Sequence, residues 1–473
     1  MKKIDLLLIN SPLKNYDTEK KYNNQTLPVL GLAYIATVAS KQGFNVEVID
    51  AEAKGMGIRE VIQQTNNLSP RWVGLNLLAP TYNNSLKILQ GLDSSINVML
   101  GGHQTRAMSQ EILKDSKIPR IDAMIIGEAE LRVVSVLENI NNREKLPLTY
   151  WRDIKGEIHS GICLENSSKW LVPDINNIPF VDRRFLSNDP FISEDGSIEA
   201  NMVGSRGCPY DCSFCGAARS VTQDVKARRR HSLNILQEQK ELNRLYGVTS
   251  FRFVDELFLA DSKSISEYVD LVLNDSIARQ FRWDANGRIN IFEKLDLSLL
   301  CKLKKSGLRE VAFGIESGDN DMLVNIGKQT NVQMIRRCVK KTLAAGINVK
   351  GFFIMGFPNE TETQIDNTKN LIEELNQLNS EYSAQFRASV FEFRPYPGTK
   401  EWNRILDNSN DLSSADLLQY SSIDITQNGK NRELYDRDEF SSSLNYSFSK
   451  MPIEHVRQTI SEIMINQKNR LGK

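Results

Sequence analysis

Long apolar runs are missing from this chain: stretches such as residues 6–9 and 98–100 fall far short of the roughly 18 residues a membrane-spanning helix needs. No charge excess exists either. Lys plus Arg equals Asp plus Glu at 59 each, so there is no global field to hold a polyanion, and a nucleic-acid partner would need a local basic patch. The one basic run, Lys226-Ala227-Arg228-Arg229-Arg230, precedes a helical pattern and has no interleaved aromatics, which reads as a structural or solvated stretch rather than an RNA contact. Cysteine is scarce, with six in all, and Cys163, Cys301 and Cys338 stand alone, unlike a secreted disulfide framework. No repeat occurs at a solenoid period. After Met1-Lys2-Lys3, Asp5 interrupts the apolar run and no small-residue cleavage site follows, so a secretory signal is not expected. These absences lead to the expectation of a cytoplasmic protein with neither membrane nor nucleic acid as partner.

What is present is an alternation. With 473 residues, 40% apolar and 25% charged, the chain has material for two or three cores. Buried-strand patterns at 4–9, 46–49, 73–78, 96–100 and 123–126 have amphipathic stretches between them, which predicts an α/β fold with a doubly wound, Rossmann-like parallel sheet over residues 1–142. Such sheets take ligands beyond the carboxyl ends of their strands, here residues 10–13, 79–81, 101–105 and 127–130. Residues 143–198 lose the rhythm and read as a linker on both neighbours, with Pro147, Pro173, Pro179, Pro190 and a hairpin around Lys155-Gly156. A second alternation, with strands near 199–205, 250–255, 281–286, 309–315, 348–355 and 385–393, predicts a partial (β/α)6 barrel over 199–398 whose active site lies at the C-terminal strand ends. Residues 399–473 are polar and close with a helix from Ile453 to about Asn469, a small C-terminal helical region.

The remaining three cysteines are crowded. Gly207-Cys208-Pro209-Tyr210-Asp211-Cys212-Ser213-Phe214-Cys215 follows the first barrel strand directly, so three thiolates can reach one metal centre. A structural zinc site wants four ligands, and no nearby Cys or His supplies a fourth. A 4Fe-4S cluster on three cysteines leaves one iron open for a substrate or cofactor. Chance cysteines and a zinc loop are the alternatives.

The Cys-x3-Cys-x2-Cys spacing, with an aromatic residue before the last cysteine, resembles the motif of the radical S-adenosylmethionine (SAM) superfamily. That resemblance implies Cys208, Cys212 and Cys215 as cluster ligands and Phe214 beside the SAM adenine. It also implies SAM contacts at successive strand ends: Asp255 or Glu256 for the ammonium, Arg288 for the carboxylate, Glu316 and Ser317 for the ribose, and a further turn at Gly356-Phe357-Pro358-Asn359-Glu360-Thr361. A charged amine needs an acceptor at such a place.

The N-terminal residues Leu30-Gly31-Leu32-Ala33-Tyr34, Gly43-Phe44-Asn45-Val46, Gly101-Gly102 and Gly127-Glu128-Ala129-Glu130, with Ile178-Pro179 and Arg394-Pro395-Tyr396-Pro397-Gly398-Thr399, resemble the branch of that superfamily fused to a cobalamin-binding domain. Pro12, Thr81, Gly101, Gly102, Gly127 and Glu128 are the matching cobalamin positions, glycine letting the backbone approach a large ligand. None of the four histidines has Asp two positions before it, so the Asp-x-His-x-x-Gly ligand motif is missing. The expectation is a cobalt lower face without a protein histidine, Thr81 or a neighbour lying beneath the corrin and His103 bonding only within its loop.

The resemblance implies a cobalamin-dependent radical SAM enzyme that methylates an unactivated carbon of a small molecule. In the family's scheme one SAM methylates reduced cobalamin and a second yields the radical that activates the substrate, with flavodoxin or ferredoxin as an external electron donor. Two alternatives stand beside it: a cobalamin-containing radical enzyme that cyclises, rearranges or decarboxylates, and a non-catalytic iron-sulfur protein.

Overall fold

The structure, a computed structural model, describes residues 3–21, 26–162, 170, 172, 174–193, 195–408 and 447–471. Cys163, Pro173 and most of the polar stretch after residue 408 lie outside the described residues. The described residues build two seven-stranded sheets and a small two-stranded one.

The first contains β1 (Leu6–Asn10), β2 (Val46–Asp50), β3 (Trp72–Asn76), β4 (Asn97–Gly101), β5 (Ile121–Ile125), β6 (Thr149–Arg152) and β7 (Ile158–Ser160). Its order is β2-β1-β3-β4-β5-β6-β7, parallel through β5. Strands this apolar form the centre of the sheet because helices cover both faces: Leu6, Leu7, Leu8 and Ile9 are all buried. The order reverses between β1 and β3, which opens a crevice at their carboxyl ends. The hairpin expected around Lys155-Gly156 is β6 and β7, which continue this sheet antiparallel to β5. Beyond it the linker packs on the first sheet's outer helix through Ile175, Ile178, Val181 and Phe185. It also reaches the barrel, where buried Arg183 holds Asp189 at 2.5 Å and the Asn201 carbonyl at 2.9 Å.

The second sheet starts with β8 (Phe191–Ile192), antiparallel to β9 (Ile198–Met202). A separate two-stranded ladder of β10 (Ser205–Arg206) and β11 (Arg228–Arg229) follows. Then come β12 (Ser250–Phe253), β13 (Arg282–Gly287), β14 (Leu308–Glu316), β15 (Asn348–Met355) and β16 (Phe386–Glu392). From β9 to β16 the six strands run parallel in chain order with helices between, the partial barrel that the second alternation predicts. Helix starts are capped by side chains, as at Asp261, Asp296, Asn331 and the Thr361–Gln364 capping box. The last helix, Ile453–Leu471, covers the edge strand β16: Gln467 accepts the Ala388 amide at 3.1 Å, and Arg457 pairs with Glu392 at 2.8 Å. Among the described residues no helix is long and apolar enough to cross a membrane.

Candidate active site between the two sheets

The cysteine loop leaves the barrel at Gly204. Asp255, at the end of β12, is buried and accepts the Gly204 amide at 2.8 Å and the Ser205 amide as well. Its burial outweighs those hydrogen bonds and pushes its pKa up to about 6. Asp255 is therefore spent on shaping the loop root. Glu256, the next residue, is exposed and lines the cavity described below. Of the two carboxylates left open by the sequence, Glu256 is the one free to meet a ligand.

Within the loop, Gly207 takes φ +77, a conformation that favours glycine. Cys212 is buried, and Cys208 and Cys215 are half-buried. The loop is closed by Cys215 N–H donating to the Cys212 carbonyl at 3.2 Å, and it is tied down by Ser213 N–H donating to the Ile326 carbonyl at 3.0 Å. Desolvation pushes the Cys208 thiol up and Cys215 to about 11, so deprotonation needs a bound cation. The three sulfurs are not all within 4.8 Å of one another. One tetrahedral zinc, with Zn–S of about 2.3 Å, would require sulfurs about 3.8 Å apart; a larger iron-sulfur core suits the wider set. Three thiols without a fourth ligand fit a cluster with an open iron.

Around the loop stand the other expected residues. Arg288 caps β13's carboxyl end, buried, with its guanidinium nitrogens 3.6 and 3.8 Å from Cys212 Sγ, its Nη2 donating to the Lys328 carbonyl at 2.5 Å, and its plane 3.5 Å from the Tyr210 ring centre. Its Nε is buried with no partner, a donor left over for an incoming acceptor. Phe214 meets Phe357 edge-on at 5.5 Å, which brings the cysteine loop against the turn after β15. In that turn Glu360 accepts the Gly356 and Phe357 amides at 2.6 and 3.1 Å, and burial pushes its carboxyl up to about 7. Ser317 is buried and engaged with Thr368 Oγ1 at 3.2 Å and the Asp319 amide at 3.1 Å. Glu316 sits at a bulge between Gly314 and Glu316, has φ +69, and pairs with Lys328 Nζ at 2.6 Å. Lys328 is absent from the sequence-derived residues. It lies on the Gly327-Lys328 turn after a short helix, and no motif announces it.

A cavity of about 410 Å3 lies between the carboxyl ends of both sheets. Gly101, Gly102, Gly127 and Glu128 line it from the first sheet, and Arg206, Gly207 and Glu256 from the barrel. Gly102 has φ +100, and a Cβ there would come 2.5 Å from the Leu77 carbonyl, so glycine is required. Open space above Gly31, also in the lining, leaves bare backbone facing the cavity. With Leu30, Leu32, Ile35 and Leu78 on the same wall, this apolar surface with accessible backbone fits a large flat ligand such as a corrin. Pro12 and Thr81 are buried outside the lining: the Pro12 carbonyl accepts Asn84 Nδ2 at 3.0 Å, and the Thr81 carbonyl accepts Ser85 Oγ at 2.9 Å. His103 stands accessible in the cavity yet walled by protein on most sides. Desolvation, then nearby Arg106, lowers its pKa, which keeps the imidazole neutral at pH 7.

Glu128 has a second commitment. It pairs with Arg228 and lies 3.6 Å from Arg206, while Glu130 binds Arg206 at 2.6 Å. Arg206 also lies 5.1 Å over the Tyr34 ring, and Arg106 pairs with Asp224. Arg229 and Arg230 bind Ser264 and Glu238, so the arginines of the basic run are structural. Arg228, on the strand paired with that of Arg206, fastens the strand before Cys208 to the first domain through Glu128, while Arg229 and Arg230 bind within the barrel.

Two family descriptions match this chain: the Radical SAM superfamily over residues 202–372 and the B12 binding domain over residues 24–137. The chain is thus a radical SAM enzyme carrying a B12 binding domain, with a 4Fe-4S cluster, SAM and cobalamin as its cofactors. Among similar proteins, an uncharacterized methyltransferase of Pyrococcus horikoshii is 27% identical, covering 90% of this chain and 88% of its own. The anaerobic magnesium-protoporphyrin IX monomethyl ester cyclase of Cereibacter sphaeroides is 23% identical over 72% of this chain and 55% of its own. The solved structure of the radical SAM methyltransferase TsrM from Kitasatospora setae, with cobalamin and a 4Fe-4S cluster bound, shares the fold at a TM-score of 0.65 and 16% identity. It covers 86% of this chain and 78% of that one.

Proposed function

We propose that this enzyme transfers a methyl group from SAM to an unactivated carbon of a small molecule. One observation carries the reading: Gly207 and Ala217, which flank the cysteine loop, together with Glu256 and the cobalamin-type strand ends Gly101, Gly102, Gly127 and Glu128, line a single cavity, which supports placing the two cofactors next to each other. When bound, the cluster supplies an electron and an open iron for SAM, and cobalamin supplies a carrier for a methyl group. The chain's own residues bind and orient. Glu256 accepts the SAM ammonium, Arg288 the carboxylate through its spare Nε, Glu316 the ribose, and Phe214 flanks the adenine. Ser317 holds the Asp319 amide and Thr368, which steadies the backbone beside Glu316. Gly101, Gly102 and Gly127 offer backbone to the corrin, Glu128 steadies that wall through Arg228, and His103 is a wall residue rather than a cobalt ligand. Pro12 and Thr81 support the crevice from behind.

The division of labour follows the two sheets: residues 1–142 hold cobalamin, 143–198 link, 199–398 form the radical barrel and 399–473 close it. An external flavodoxin or ferredoxin delivers the electron. A second reading, radical cyclisation without methyl transfer, has the cyclase relative in its favour. The two part at the product. Candidate small molecules incubated with reduced, cofactor-loaded enzyme and methyl-labelled SAM should acquire the label; a converted but unlabelled product would establish the second reading.

A further inference from the structure

We propose that Lys328 is the positioning residue of the SAM site, acting through Glu316. The proposal rests on the reading above that Glu316 contacts SAM. Glu316 and Lys328 are 6% and 7% exposed and 2.6 Å apart. An equally buried cation offsets the cost of placing a carboxylate this deep, and the pair fixes where its second oxygen points. Two features of β14 accommodate the pair. The bulge at Gly314/Glu316 and the positive φ of Glu316 turn the carboxylate off the regular strand path. Gly314 leaves the room: a Cβ there would come 2.3 Å from Glu316 Oε1 and 2.6 Å from Lys328 Nζ.

Lys328 has a second hold on the site. Its carbonyl accepts Arg288 Nη2 at 2.5 Å, and its own amide donates to the Leu323 carbonyl at 3.0 Å. The preceding Gly327, with φ +68, lies so close to the cysteine loop that a Cβ there would stand 3.5 Å from the Asp211 carbonyl. One turn thus orients Glu316 by its side chain and Arg288 by its backbone. Substituting the side chain should disturb the first and spare the second.

The test uses full-length holoprotein with reconstituted cluster and four variants: Lys328→Met, Lys328→Arg, Glu316→Gln, and the double variant, which removes both charges and so leaves neither buried alone. Iron content, SAM dissociation constant and the change that SAM causes in the EPR signal of the reduced cluster are measured. Lys328→Met should weaken SAM binding at least tenfold and blunt the EPR change at unaltered iron content. Lys328→Arg should restore most of the affinity. The double variant should bind no worse than the weaker single one, because both changes disable the same contact. Native SAM affinity in Lys328→Met, an additive double variant, or iron lost in step with affinity would each overturn the proposal. Native affinity in Glu316→Gln would instead overturn the underlying reading, and Lys328's role with it; a weakened Glu316→Gln beside a native Lys328→Met would sink the proposal alone.

Discussion

At the scale of single residues, the adjacent carboxylates Asp255 and Glu256 show how burial sorts chemistry. Both line the cavity, but Asp255 is buried and holds two backbone amides, while Glu256 is exposed. Glu256→Gln removes a charge-assisted hydrogen bond worth roughly 1.5 to 3 kcal/mol, so SAM affinity measured by equilibrium binding should fall about ten- to a hundredfold with the melting temperature unchanged. Asp255→Asn should instead lower the melting temperature and the iron content. The wild-type pH dependence carries a signature of the same group. Its folded pKa of about 6 lies above the ordinary 3.8, so the folded state binds this proton more tightly. The resulting stabilisation is complete below about pH 4 and lost as pH rises through about 6. Asp255→Asn should remove that share of the decline in a pH series of melting curves. The sequence leaves the choice between the two carboxylates open; in the structure, along β12 and its continuation, Phe253 and Asp255 are buried while Glu256 is exposed, the period-two alternation that a strand imposes.

At the scale of elements, the central strands could be read directly, because a parallel sheet covered on both faces needs unbroken apolar runs. Both sets of expected strands appear within a few residues of their expected limits. What stayed hidden are departures from regularity. The bulge in β14 depends on a pairing with β15, and the partner of Glu316 lies twelve residues downstream on a turn. The glycine at 314 was a signal, since a strand interior rarely spends a residue that packs nothing unless something approaches closely. Gly314→Ala should therefore displace the Glu316–Lys328 pair while the barrel folds normally. SAM affinity should drop about tenfold or more, equivalent to about 1.4 kcal/mol per factor of ten, with circular dichroism unchanged. Native affinity in that variant would mean the pair has room that the structure does not show.

At the scale of the whole molecule, the two domains are set face to face by charge. Glu128 and Glu130 on one side and Arg206 and Arg228 on the other join the loop after β5 to the strand that enters the cysteine loop. Partners about a hundred residues apart carry no local pattern, so sequence reading assigned Glu128 to cobalamin and the basic run to structure without linking them. The link brings residues flanking the cysteine loop and the strand ends of the first sheet onto one cavity, the arrangement on which the proposed methyl transfer rests. The most direct test needs no substrate. Anaerobic enzyme loaded with cluster and cobalamin, given SAM and a strong reductant, should form both S-adenosylhomocysteine and 5'-deoxyadenosine, quantified by mass spectrometry. Formation of 5'-deoxyadenosine with no S-adenosylhomocysteine under any reductant would contradict methyl transfer and leave the radical step standing by itself.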